Sequence, residues 1–305
     1  VRKIVATISV QNITKKFGEQ IAVDGVSFDV DSGEIFGLLG PNGAGKTTSI
    51  RIILDIFKAD SGAVSILGGP MTDDKKNQIG YLPEERGLYQ DFQMEQCLVY
   101  LATLKGLDEK TAKTRINTYL ERFELSDSRK KKMKELSKGM QQKAQLIATL
   151  VHQPDVIIID EPFSALDPVN TQMVKDLLRE ERSAGRTIVM CTHQMHQVEE
   201  LCDRLVLINK GKAMLYGSLH DVRQQFAKPA VSLDTTSRLP DTIPGVGEIS
   251  HENGNYTLHL LPGQTPQKLL QDLVGMGISM DRFEVAMPTL DEIFIDVVKD
   301  QGIME

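Results

Sequence analysis

The segment Gly40-Pro41-Asn42-Gly43-Ala44-Gly45-Lys46-Thr47 narrows what this chain can become more than any other stretch of it. It follows the apolar run Ile35 to Leu39 and precedes a helical pattern from Thr48 to Phe57, so it predicts a loop joining a buried strand to a helix. Glycines there let backbone N–H groups turn inward around an anion, and the helix N-terminus adds partial positive charge. Lys46 contributes a full charge, and the Thr47 hydroxyl suits Mg²⁺. Phosphate oxygens are the ligand this combination fits.

A second segment reinforces the first. Val156-Ile157-Ile158-Ile159 is a buried strand's worth of apolar residues that ends on two carboxylates, Asp160 and Glu161. At a strand end beside a phosphate loop, Asp160 would organise Mg²⁺ while Glu161 would orient or deprotonate an attacking water. Further apolar runs at Ile188 to Met190 and Leu205 to Ile208, separated by helical patterns, complete the signature of an α/β sheet covered on both faces. The strand-like pieces Ile8 to Ile13 and Val26 to Val30 predict a β-rich beginning, and Asn209-Lys210-Gly211 predicts a hairpin turn. Between Met94 and Arg129 the apolar period becomes helical, with Leu98, Leu101 and Ala102 on one stripe and Ile116, Tyr119, Leu120 and Phe123 on another.

After Phe226 the pattern changes to short alternating segments around Glu252-Asn253-Gly254-Asn255, a helix near Gln267 to Val274, a strand near Ile278 to Val285 and a last helix. Thr289 and Glu292 form a capping box at the start of that helix, and Leu290, Ile293, Phe294, Val297 and Val298 make its apolar face. This predicts a small α+β domain, with the boundary placed between residues 226 and 227.

Composition sets the outer limits. A net charge of -7 argues against a general nucleic-acid binder, because phosphate backbones demand basic surfaces. The run Arg129-Lys130-Lys131-Lys132 is best read as a solvated face. Three cysteines, Cys97, Cys191 and Cys202, form neither a disulfide framework nor a Cys-x-x-Cys pair and suggest a reducing compartment; their spacing to His193 and His196 does not suit zinc. No stretch approaches the ~20 apolar residues a membrane-spanning helix needs, and Val1 to Val5 lacks a signal-peptide pattern.

Further motifs make the chain resemble the ABC ATPase family. Leu136-Ser137-Lys138-Gly139-Met140-Gln141-Gln142 resembles the family's signature loop, ahead of a helix predicted from Met140 to Gln153, and Ser164-Ala165-Leu166-Asp167 resembles its D-loop. His193 stands where the family keeps a γ-phosphate sensor, Phe17 where it keeps an adenine-stacking aromatic, and Glu84 where it usually has the Q-loop glutamine. Lys138, Met140 and Glu84 depart from the family's residues. Glu84 keeps the ability to meet Mg²⁺ or water.

The resemblance covers about residues 7 to 226. It implies an ABC cassette on residues 1–226, with a β-rich subdomain, a RecA-like P-loop NTPase core and a helical subdomain, followed by a small α+β domain on residues 227–305. It implies ATP and Mg²⁺ bound by Gly40 through Thr48 and by Asp167, with Ser137 and Gly139 acting across a head-to-tail pair of cassettes. It also implies a separately encoded membrane permease and a place at the inner face of the cell membrane. The tail from Met287 to Ile295 and the segment Gly80 to Tyr89 resemble the ABC-2 exporter branch. A soluble ABC ATPase that acts as an assembly or regulatory module is the alternative.

Overall fold

The computed structural model describes residues 6–85, 87–237, 239–252 and 255–300. The start Val1 to Val5, and Arg86, Asn253 and Gly254 within the segments discussed above, lie outside the described residues. The strands are β1 Ala6–Phe17, β2 Gln20–Asp31, β3 Ile35–Leu39, β4 Ser61–Ile66, β5 Ile79–Leu82, β6 Val156–Asp160, β7 Thr187–Thr192, β8 Arg204–Asn209, β9 Lys212–Ser218, β10 Ala230–Asp234, β11 Val246–Glu252, β12 Asn255–Leu260 and β13 Arg282–Val285. The α-helices are α1 Lys46–Ile53, α2 Asp73–Lys76, α3 Met94–Leu104, α4 Glu109–Arg122, α5 Lys138–Leu150, α6 Pro168–Ser183, α7 Met195–Leu201, α8 Leu219–Phe226, α9 Pro266–Gly275 and α10 Leu290–Asp300. Contacts divide the chain into two compact units between Leu219 and His220, at the start of α8 rather than at its end.

The first unit holds two sheets. β2, β1 and β4 form an antiparallel sheet, and six strands in the order β5-β6-β7-β3-β8-β9 form the second. β5, β6, β7, β3 and β8 run parallel, and every residue of β3, β6 and β7 is buried, as expected for strands covered on both faces. Apolar side chains of both sheets and of α1 meet in one core that includes Ile8, Val30, Phe36, Ile50, Ile158 and Val206. β8 returns antiparallel to β9 through Lys210 and Gly211, both with left-handed backbone, which is the hairpin turn the sequence predicted.

Between β5 and β6 lie α3, α4 and α5, whose buried Leu98, Ala102, Ile116, Leu120 and Phe123 carry the expected stripes. Two helices differ in extent from the reading of the sequence. α1 stops at Ile53 because Asp55 takes a left-handed backbone, φ 59°, ahead of the turn to Phe57. α5 begins at Lys138, not Met140, because the Ser137 side chain accepts the Met140 N–H at 3.2 Å and caps the helix there.

In the second unit β11-β12-β10-β13 form an antiparallel sheet. Val231, Leu233 and Leu258 on one of its faces pack with Leu269 and Leu273 of α9. The strand expected from Ile278 is confined to Arg282–Val285, because the left-handed Gly277 and the Ile278 N–H, bonded back to Leu273, close α9 first. α10 starts with the predicted capping box: Glu292 Oε2 accepts the Thr289 N–H at 2.7 Å, and Thr289 Oγ1 accepts the Glu292 N–H at 3.2 Å. Its Leu290, Ile293 and Val297 are buried.

Candidate functional site

Parallel strands deliver their C-terminal ends to one edge of a sheet, and here four of those ends carry the residues of interest. Leu39 of β3 is in register with Thr192 of β7, Asp160 of β6 with Cys191 of β7, and Leu82 of β5 with Ile159 of β6. The phosphate loop, Glu84, Glu161 and His193 follow those ends directly. A cavity of about 490 Å³ opens at this edge, lined by Asn42, Gly43, Ala44, Gly45, Lys46, Thr47 and Thr48, with Phe17, Glu84, Asp160 and Glu161 around them.

The loop's shape depends on two glycines. Gly40 has φ 147°, and a Cβ there would lie 2.0 Å from the Ile208 carbonyl oxygen; Gly45 has φ 107°, and a Cβ would lie 2.3 Å from that of Ala22. No larger residue fits either place without moving backbone. Gly45 is also the N-cap of α1, whose first turn holds no acidic residue, so its N–H groups and dipole face the loop unopposed. Lys46 is buried and donates to the carbonyls of Gly40, at 2.7 Å, and Pro41, at 3.1 Å, which keeps its ammonium on the loop.

The two carboxylates after β6 have different partners. Asp160 accepts the Thr47 hydroxyl at 2.9 Å and is buried. Its charge is felt nearby: burial and then the Asp160 charge push the Tyr81 phenol up to about 12 and the Cys191 thiol well above its ordinary range. Glu161 has φ 53°, left-handed for a residue with a side chain. Its N–H donates to the Cys191 carbonyl at 2.9 Å. Its Oε1 accepts the His193 N–H at 3.0 Å and lies 2.6 Å from His193 Nδ1, while Oε2 accepts the Thr192 hydroxyl at 3.0 Å.

Phe17 is 46% exposed at the end of β1, edge-on to Phe57 at 5.5 Å between ring centroids, with Lys15 Nζ over its ring at 5.7 Å from the centroid. Glu84 is exposed at the cavity wall.

Six predicted residues do not line this cavity: Gly40 and Pro41, whose carbonyls hold Lys46, His193, which reaches it through Glu161, and Ser137, Gly139 and Asp167, which lie on other elements. Ser137 is exposed at the start of α5, and Asp167 is exposed at the start of α6, where bonds from Asn170 hold its carboxyl below the usual range. Gly139 packs so closely on the segment Ser164 to Asp167 that a Cβ would lie 3.1 Å from the Ala165 oxygen. These three therefore form a separate cluster.

Two residues that the sequence reading did not single out join the clusters. The buried Gln142 donates to the carbonyls of Glu161 at 3.4 Å and Pro162 at 3.2 Å, tying α5 to the turn after β6. Thr192 holds Glu161. Gln142 was visible as a polar residue in the same helical stripe as Leu146, whereas nothing local marked Thr192 beyond its place before His193.

Phosphate loop, strand-end carboxylates and this sheet order together define a P-loop ATPase of the ABC cassette class. The family model described as "ABC transporter" matches residues 23–164, and the one described as "ATP-binding protein DrrA1-3-like, C-terminal domain" matches residues 217–298. The chain belongs to the ATP-binding subunits of ABC transporters and is an ATPase of that family, with the added C-terminal domain of the ABC-2 exporter type. It is 39% identical over 293 residues to the uncharacterized ABC transporter ATP-binding protein YhaQ of Bacillus subtilis (strain 168), covering 95% of this chain and 98% of the relative. It is 36% identical over 219 residues to Nod factor export ATP-binding protein I of Burkholderia lata, covering 71% and 72%. A solved structure of an ATP-binding subunit of an ABC transporter superposes with a TM-score of 0.68 at 32% identity, covering 72% of this chain and 93% of that one. Among the described residues no helix is long and apolar enough to cross a membrane.

Proposed function

We propose that this chain is the ATP-driven motor of an exporter, acting in a pair of cassettes on a separately encoded membrane permease at the inner face of the membrane. The motor in this reading is residues 1–226 and the accessory domain residues 227–305. The observation that carries it is the strand-end cluster, where Thr47 meets Asp160 and Glu161 meets His193 beside the phosphate loop. Export is supported by the match of the C-terminal domain and by the likeness to the Nod factor export protein.

Each residue has a role that its surroundings suit. The N–H groups of the loop from Asn42 through Thr48 cradle phosphates, Lys46 meets the outer ones, and the exposed Phe17 ring stacks on the adenine. Thr47 Oγ1 and Asp160 Oδ2 are hard oxygen donors 2.9 Å apart, the donor type that suits Mg²⁺. These two residues would hold the ion, with Glu84 beside them, and the ion supplies charge neutralisation on the phosphates. Glu161 orients the attacking water and takes its proton, and His193 links that carboxylate to the outer phosphate. Ser137, Gly139 and Asp167 present their exposed cluster to the phosphate loop of the second cassette.

The test measures ATP turnover with Mg²⁺ for the purified chain and its Glu161→Gln variant, with oligomeric state followed by light scattering. Turnover is expected to fall ~100-fold or more, the scale seen when a catalytic group is lost. ATP is expected to drive the variant from monomer to stable dimer. Unchanged turnover would remove Glu161 from its role, and ATP binding without dimerisation would discard the homodimer.

A further inference from the structure

Four contacts fasten Glu161 to three consecutive residues at the end of β7. Its N–H is bonded to the Cys191 carbonyl, its Oε1 to the backbone N–H and ring of His193, and its Oε2 to the Thr192 hydroxyl. These contacts differ in permanence. The His193 side chain is 49% exposed, on the side open to a ligand or solvent, whereas Thr192 is fully buried within β7.

The direction of the Thr192 bond is fixed by a second one. Thr192 Oγ1 accepts the Gln194 N–H at 3.1 Å, and a backbone amide can only donate. The hydroxyl's single proton is thereby left for Glu161 Oε2, at 3.0 Å. A donor aimed in this way favours one rotamer of the carboxylate and leaves Oε1 as the oxygen toward His193. Burial strengthens the preference, because no water replaces the hydroxyl within the strand.

We infer that Thr192 is a positioning residue for hydrolysis: its hydroxyl, oriented by the Gln194 N–H, holds the Glu161 carboxylate in its working orientation while the His193 ring moves. The inference rests on the reading of Glu161 as the group that orients and deprotonates water. Thr192 itself touches no reacting atom. Its loss therefore acts on the rate of the chemical step and leaves nucleotide binding alone.

The experiment compares Thr192→Val, which keeps the branched shape and removes the donor, with Thr192→Ser, which keeps the donor. Thr192→Val is expected to lower kcat about tenfold with KM within about twofold, and Thr192→Ser to recover to within about threefold of the parent. Affinity for a fluorescent ADP analogue should stay at the parent's value in both variants, whereas the melting temperature should fall in Thr192→Val, which leaves the Gln194 N–H without its acceptor, and hold in Thr192→Ser. In single-turnover assays Glu161→Gln/Thr192→Val should be no slower than Glu161→Gln, because the hydroxyl acts only through the carboxylate.

Three results would overturn the inference: an unaltered kcat in Thr192→Val, a double variant in which the two losses multiply, or a loss of ADP affinity parallel to the loss of rate. Unchanged kcat in Glu161→Gln sinks the water-activation reading and this inference with it. A slow Glu161→Gln beside a fast Thr192→Val sinks only the inference.

Discussion

The phosphate-loop edge and the start of α5 carry comparable motifs but are built in opposite ways. At the first, side chains converge: Thr47 meets Asp160, Glu161 meets Thr192 and His193, and a walled cavity results. At the second, Ser137 and Asp167 stand exposed, and their polar atoms cap their own helices. One region is a pocket and the other a plug. On the proposed function the two are halves of a site that one chain does not close on itself, and Gln142 ties α5 to the turn after β6 that carries Glu161.

Lys46→Ala should give the largest effect if that division is right, because it removes the one full positive charge inside the loop. Nucleotide affinity of the isolated chain, read by equilibrium fluorescence, is expected to fall by ~100-fold, the scale of a lost buried charge-assisted contact. Retained affinity would mean the loop amides suffice.

Ser137→Arg tests the plug. Affinity of the isolated chain should stay within about twofold, while steady-state turnover at dimer-forming concentrations falls ~30-fold. Equal losses in both assays would show that Ser137 serves its own chain's pocket and would erase the distinction between the halves.

Acid should also separate them, through His152 just beyond α5. Burial, and then the charge of Lys105, hold this histidine down at about 4 against an ordinary 6.5. The native state thus resists a proton that the unfolded chain accepts, so stability is complete above pH 6.5 and falls as pH drops toward 4. Thermal unfolding is expected to report a loss of about 2 kcal/mol between pH 7 and 5, and His152→Gln should remove that share of the slope. An equal slope in the variant would assign the acid sensitivity elsewhere.

Glu84→Gln should do least. It removes one exposed negative charge from a wall already holding Asp160 and Glu161, so nucleotide affinity should rise about twofold to threefold, and less at high salt. A fall in affinity would give Glu84 a direct hold on Mg²⁺.

The pocket was more legible in the sequence than the plug, for a physical reason. Its parts are local: a glycine-rich loop after an apolar strand, and two acids ending another such strand, each readable from a few neighbouring residues. The capping box of Thr289 and Glu292 was readable for the same cause. The start of α5 was placed late because Lys138 and Gly139 show no apolar period, and only the Ser137 cap reveals the helix. Gln142 and Thr192 escaped because their partners lie 19 and 31 residues away and come near only through the sheet's register. In the second unit the elements were readable, but the strand order β11-β12-β10-β13 was not, since alternation gives faces without giving neighbours.

The left-handed backbone at Glu161 bears on how damaged copies of this protein would behave in a cell. A side chain at φ 53° costs ~1–2 kcal/mol that glycine or asparagine largely avoids. Lesions to those residues at this position give up hydrogen bonds and at the same time relax that strain, so folding is expected to change little while, on the proposed mechanism, hydrolysis stops. A cell would not clear such copies by proteolysis. On the proposed mechanism they would persist, pair with intact chains and occupy shared permeases, so the defect would be inherited as a dominant trait rather than a recessive one.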